Sequence, residues 1–303
     1  MALEMDNYQA HDRLVSTKLA EMLAREKYGA ESGALYSDLD SDDTVVDFRF
    51  VLKQHGMKKL RGNFEKRTQL EKSIVIGTDE FYDEITMRLR DLKKKRSASF
   101  QLDAQGMPEQ VPSFIDVKVA SLLKESGAAF TGSTFDGKPY FSKTHPRFSG
   151  KGTQSNLDDG GGGDGYWYLF DTKKMAPVIW LWFARPNTDK FGPESEWARD
   201  NQEVRWRLMA DCGFGMGVWY YGYASNKPLT KANLQAAKLA MMSLKNDAKT
   251  DGEDAQMGIK PNLLVTGAAN DLTRLELMNS TIVGGDSNVM QGAFESMTFS
   301  YLP

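Results

Sequence analysis

Two alternating segments constrain this chain more than any other feature. From Thr44 to Gln54, Val46, Phe48, Phe50 and Leu52 alternate with Asp47, Arg49, Val51 and Lys53; further on, Leu70, Lys72, Ile74 and Ile76 alternate with Gln69, Glu71, Ser73 and Val75. A period of two belongs to strands, and a basic, Gly-punctuated connector joins the runs, so the spacing predicts a β-hairpin over Thr44–Gly77. Eleven residues at about 3.3 Å each make an arm of roughly 35 Å, about twice a usual strand. Such an arm is expected to protrude and to bury one face on a partner.

The rest of the chain is large enough to carry it. At 303 residues it buries roughly 75% of its unfolded surface, as one large domain or two lobes, without disulfides or metals. Hydrophobic residues make up 41% and charged residues 26%, which is the composition of a folded protein. With 38 basic against 41 acidic side chains, the net charge of -3 argues against a surface built throughout to neutralise nucleic acid. Cys212 is the only cysteine, so no disulfide forms within the chain, which suits a reducing compartment such as a bacterial cytoplasm. Residues 1–13 do not resemble a signal peptide and no run of about 18 apolar residues occurs, so neither export nor a membrane span is expected.

Residues 12–28 place Val15, Leu19, Met22 and Leu23 on one helical stripe, and Ser37–Asp43 reads as a short acidic linker. Thr78 suits an N-cap, followed by Asp79 and Glu80, and Phe81, Ile85, Leu89 and Leu92 then recur at helical spacing, predicting a long helix. A second helix is predicted from Pro112 at its first position through Ile115, Val119, Leu122 and Leu123 to near Gly127. Residues 131–226 are rich in glycine and aromatics and read as strands: Tyr166–Phe170, Val178–Phe183 and Val204–Cys212, with Phe214–Tyr223 as sheet lying close to another layer. Thr230 then caps a helix with the apolar face Leu234, Ala237, Met241, Leu244 and Ala248. Leu263–Val265 forms an apolar run, and a last helix holds Leu272, Leu275 and Met278.

No catalytic constellation stands out. Gly132, Gly137 and Lys138 spell most of a phosphate-cradling loop, but Pro139 stands where a magnesium-binding hydroxyl is required and removes a backbone N–H, so a plain turn is the better reading. His11, His55 and His145 fall in no metal-binding spacing. His145 is the best candidate general base for a hydrolase, a rival reading that lacks a paired nucleophile, and Cys212 reads as a small core residue. Asp158, Asp159 and Asp164 surround glycines without the ligand order of a calcium loop. Two basic clusters remain: Lys58, Lys59, Arg61, Lys66 and Arg67 at the hairpin tip, and Arg88, Arg90, Lys93, Lys94, Lys95 and Arg96 beyond it. The second is either a solvated face or a contact with DNA or an acidic partner. For the tip, Asp38, Asp40, Asp42 and Asp43 of another copy are candidate partners.

The segment Phe135-Asp136-Gly137-Lys138-Pro139-Tyr140-Phe141, running on to Thr144-His145-Pro146, resembles the Mu-like phage major head subunit family, gpT. So do Ser155-Asn156-Leu157, Tyr168-Leu169-Phe170-Asp171, Lys174 with Pro177 and Ile179, Phe214 to Trp219, and Gly258 to Val265, in the family's order. The first 40 residues depart from it.

The resemblance implies an α+β fold of the Hong Kong 97 capsid type, and a major capsid protein rather than an enzyme. It divides the chain into an N-terminal arm (1–43), an E-loop hairpin (44–77), a peripheral domain with a spine helix (78–226) and an axial domain with the C-terminal segment (227–303). Hexamers and pentamers of the chain would form the icosahedral head around double-stranded DNA, held without sequence specificity, with scaffold, portal and decoration proteins as partners and no cofactor. The protein would reside in the virion after assembly in the bacterial cytoplasm. In this setting Val46, Phe48 and Phe50 would bury their face on a neighbouring subunit. An encapsulin-like compartment, another virion protein and a nucleic-acid-binding module built on Arg88–Arg96 are the remaining alternatives.

Overall fold

In the computed structural model, which describes residues 2–51, 71–92, 106–126, 129–130, 132–147, 152–250 and 253–303, helix α1 (Ala2–Leu23) runs first along the body. Val15, Leu19 and Met22 are buried as their spacing predicts, whereas Leu23, at the helix end, is 36% exposed.

The segment read as an acidic linker is in fact strand β1 (Tyr36–Asp40). It pairs in parallel with β7 (Val178–Phe191), from Tyr36 opposite Val178 to Asp40 opposite Trp182. The hairpin follows as β2 (Val45–Val51) and β3 (Glu71–Gly77), antiparallel, with Val46 opposite Ile76 and Phe48 opposite Ile74.

The helix predicted from Thr78 is also a strand, β4 (Asp79–Arg88), and only Leu89–Leu92 turns helical, as α2. A spacing of four fits a helical stripe, but it is also a multiple of two. Phe81, Asp83, Ile85 and Met87 form the more buried face of a strand, while Tyr82, Glu84, Thr86 and Arg88 face out. Helix α3 (Gln110–Leu123) begins two residues before Pro112 and buries Ile115, Val119 and Leu123.

Two sheets organise the rest. The first has the order β1-β7-β8-β4, where β8 (Glu203–Met216) pairs antiparallel with both neighbours. Val204, Trp206 and Leu208 of β8 face the main core, as their alternation predicts. Strand β7 is covered on both sides: Val178, Trp180 and Trp182 enter the main core, while Ile179 and Leu181 face the opposite way.

The second sheet joins β5 (Leu157–Asp158), β6 (Trp167–Phe170), β9 (Gly222–Ser225), β12 (Leu263–Thr266) and β13 (Glu295–Thr298), in the order β13-β12-β6-β9-β5. A domain boundary at residue 226 passes through this sheet, which draws strands from both sides of it.

Helix α4 (Lys231–Met242) covers the second sheet, and its cap is the predicted one: the Thr230 hydroxyl accepts from the backbone N–H of Asn233. Ala248 lies beyond that helix, in strand β10 (Lys245–Thr250), which folds back on β11 (Glu253–Gln256). In α5 (Asp271–Asn279), Leu277 and Met278 are buried, but Leu272 is 81% exposed.

Candidate functional site

The hairpin is fixed at its root by a small core of its own. Ile76 is buried against Ile179 and Leu181, with Val46, Phe48, Ile74 and Met175 packed around them, separate from the main core. Glycines make the seat. Gly213 lies opposite Leu181 and Gly215 opposite Ile179, and a Cβ on Gly213 would stand 2.3 Å from the carbonyl oxygen of Gly77. Any side chain there would lift the hairpin off the sheet. Val46 and Phe48, assigned from the sequence to a neighbouring subunit, thus lie at this root against the chain's own sheet. Alternation reveals an apolar face; it does not reveal which surface covers it. The opposite face keeps Val45 and Val75 60% and 65% exposed. The side chain of Phe50, together with His55, Lys58, Lys59, Arg61, Lys66 and Arg67, lies outside the described residues.

The acidic segment is partly engaged within the chain. The guanidinium of Arg185, from β7, donates to Asp40 at 2.7 and 2.9 Å, to Asp38 at 3.2 Å and to the Tyr28 hydroxyl at 3.2 Å. The bond to Asp40 contributes most to pushing the Arg185 pKa further above its ordinary value. Asp42 and Asp43 are exposed. Of the second basic cluster, Arg88 closes strand β4 near Glu203 and Arg90 lies in α2 beside Asp91, so these two do not share the long helix expected for them; Lys93, Lys94, Lys95 and Arg96 are outside the described residues.

The candidate catalytic groups are parts of the core. His145 is fully buried, its Nδ1 2.7 Å from an Asp136 carboxylate oxygen and its Nε2 3.2 Å from the Tyr140 carbonyl oxygen, with its ring stacked at 4.0 Å on Trp219. Beside it, the buried Asn156 amide donates to the carbonyls of Tyr140, Trp219 and Gly222 and accepts from the Ser142 N–H. These residues clamp loops together, a role that the sequence reading of His145 missed. The near-phosphate loop is a turn in which Gly137 adopts φ +74° and the Tyr140 N–H donates to the Gly132 carbonyl. Cys212 is buried, which pushes its thiol up to about 12. Asp158 pairs with Lys227 and Asp159 with Lys143, and no metal-binding cluster occurs among the described residues.

The described chain is thus a hairpin seated on a mixed sheet, a helix packed beneath that sheet and a second αβ layer, with His145, Asn156 and Asp136 engaged in structure. Solved structures share this fold. A chain of the procapsid of bacteriophage JBD30 superposes with a TM-score of 0.73 at 19% identity, over 97% of this chain and 98% of that one. A chain of the JBD30 capsid gives 0.73 at 13% identity over 93% and 95%, and one from the JBD30 capsid decorated with minor capsid protein trimers gives 0.73 at 15% over 92% and 93%. No curated protein matches the sequence. The family described as Mu-like prophage major head subunit gpT matches residues 32–302, and the chain belongs to that family. It is a major capsid protein of a phage head, a structural component of the virion and not an enzyme.

Proposed function

We propose that copies of this chain close into hexamers and pentamers around double-stranded DNA, and that each hairpin reaches onto an adjacent subunit. The observation carrying the second part is the seated root: the hairpin is held firmly at one end, and its next 19 residues, 52–70, carry six basic side chains and one acidic one. Such a charge excess seeks carboxylates on another copy, and small energies per contact add across a closed shell. Since Arg185 engages Asp38 and Asp40, the acidic segment offers Asp42 and Asp43 to a neighbour. Scaffold, portal and decoration proteins are the further partners, assembly takes place in the bacterial cytoplasm, and Arg88–Arg96 is the segment for DNA or an acidic partner. Reversing charge with Lys58→Glu, Lys59→Glu and Arg61→Glu is expected to abolish particles in negative-stain images while the subunit stays folded. Normal particles from that triple variant would refute the role of the tip.

A further inference from the structure

A groove of about 390 Å³ opens between α3 and the first sheet, beside β4. Phe81 of β4, Phe114 and Val117 of α3, Trp182 of β7 and Leu208 of β8 line it, and a cleft of this size and apolarity suits a small organic ligand. Two polar groups beside it lack what they need. Trp182 is 2% exposed, yet its indole N–H meets no acceptor among the described residues, so a buried donor stands unsatisfied. The ammonium of Lys118 lies 5.6 Å from the ring centre of Phe81, 5.4 Å from that of Phe114 and 5.3 Å from that of Phe214. The three rings attract the charge, but no carboxylate among the described residues pairs with it.

Both groups belong to one end of the groove. Trp182 stands opposite Cys212 in the β7–β8 register, and Phe214, the ring nearest Lys118, is two residues further along β8 and on the same face as Cys212. The other end is lined by Asp83, Gln110 and Ser113. Gln110 and Lys118 are eight residues apart on α3 (118 − 110), which is about 12 Å along the helix. The groove therefore has a cationic, donor-bearing end, an apolar middle and a hydrophilic mouth whose one charged group, Asp83, repels an anion. That polarity dictates how an occupant lies: a negative head goes to Lys118 and an apolar tail runs toward Asp83.

We propose that this groove binds a medium-chain fatty acid anion, whose carboxylate accepts from the Trp182 N–H and pairs with the Lys118 ammonium while its alkyl chain lies along Phe81, Phe114 and Leu208. A carboxylate brings both the acceptor that Trp182 lacks and the countercharge that Lys118 lacks, and a charge-assisted bond in a partly desolvated site is stronger than a neutral one. A neutral apolar molecule would leave the ammonium without a counterion, and a short carboxylate would leave the apolar walls to water. The site is separate from the hairpin, which rests on Ile179 and Leu181 across β7 from Trp182.

Octanoate is the probe, titrated onto the unassembled full-length subunit while the indole N–H resonances of nitrogen-15-labelled protein are followed, with Trp182→Phe assigning the signal. The expected result is one saturable site per subunit and a downfield movement of the Trp182 resonance as it gains an acceptor. Acetate, which has the head alone, and octanol, which has the tail without the charge, should each bind about tenfold more weakly or worse. Lys118→Gln should weaken octanoate by about tenfold or more, and Lys118→Arg, which keeps the charge, should restore most of the affinity. Uptake that never saturates, a Trp182 resonance that does not move, or equal affinity in Lys118→Gln would overturn the site. Should the Lys118 variants fail to fold, Val117→Trp fills the groove from a wall position that is 48% exposed. Loss of octanoate binding in that variant supports the site, and unchanged binding overturns it.

Discussion

Gly213→Ala tests whether the hairpin is aimed by its glycine seat. The added methyl would lie 2.3 Å from the Gly77 carbonyl oxygen and 3.0 Å from Cγ2 of Ile76. Ile76 can rotate, but the carbonyl is backbone and must retreat by about 1 Å to reach ordinary contact. On one side of Gly77, β4 is held by ten registered pairs with β8; on the other, the hairpin rests on a cluster of three buried residues. The hairpin side therefore gives way. Overpacking of this kind costs about 1–3 kcal/mol, and about 2 kcal/mol raises the undocked fraction roughly thirtyfold. Because the cluster is separate from the main core, the loss should remain local. Hydrogen exchange of the unassembled subunit is expected to show β2 and β3 amides losing about thirtyfold protection while β7 and β8 are unchanged, and particle yield to fall in parallel. Gly215→Ala meets only the Ile76 side chain, at 3.0 and 3.1 Å, and should do less. Unchanged exchange in β3 together with normal particles from Gly213→Ala would refute the reasoning.

Asp116 is fully buried on α3 and accepts from the backbone N–H groups of Glu31 and Ser32 at 3.0 Å and from the Ser32 hydroxyl at 2.5 Å, pinning the entry to β1. Asp116→Ala should cost about 3–5 kcal/mol in denaturant unfolding, since hydrogen bonds to a charged acceptor are worth about 1.5–3 kcal/mol each and add incompletely; a loss below about 1 kcal/mol would contradict it. Cys212, with its thiol pushed up to about 12, stays protonated at pH 8, so iodoacetamide should leave native protein unlabelled and modify it rapidly in denaturant. Rapid labelling of folded subunits would show that the strand opens.

How much was legible depended on whether local pattern and tertiary partner agreed. Thr230 capped its helix and Val204, Trp206 and Leu208 faced inward because capping and alternation are local rules. The acidic β1 was hidden because its stability comes from a distant strand and from Arg185, which no window around Ser37–Asp43 contains. Strand β4 was misread because Phe81, Ile85 and Leu89 satisfy both periods, and only Met87, buried two residues from Ile85, favours the strand. At the candidate site the hairpin itself was legible, but its seat was not: Gly215 read as a small residue among rings, Gly213 just before that stretch drew no reading, and nothing local says that Ile76 rests above them. His145 looked like chemistry because an isolated histidine beside a proline carries no sign of the Asp136 and Trp219 that enclose it.

The parallel pairing of Tyr36 with Val178 also sets a timetable for biosynthesis. The two positions are 142 residues apart (178 − 36), so at about 5–20 residues per second the ribosome adds the partner strand roughly 7–28 s after β1 emerges. The hairpin is made in that interval, and Ile76 and Phe48 leave the ribosome well before Ile179, Leu181 and the glycines that will receive them. The apolar face of the hairpin root is therefore synthesised before the surface that covers it. The step most exposed to error is thus early: every arm must wait for its own seat before it meets another.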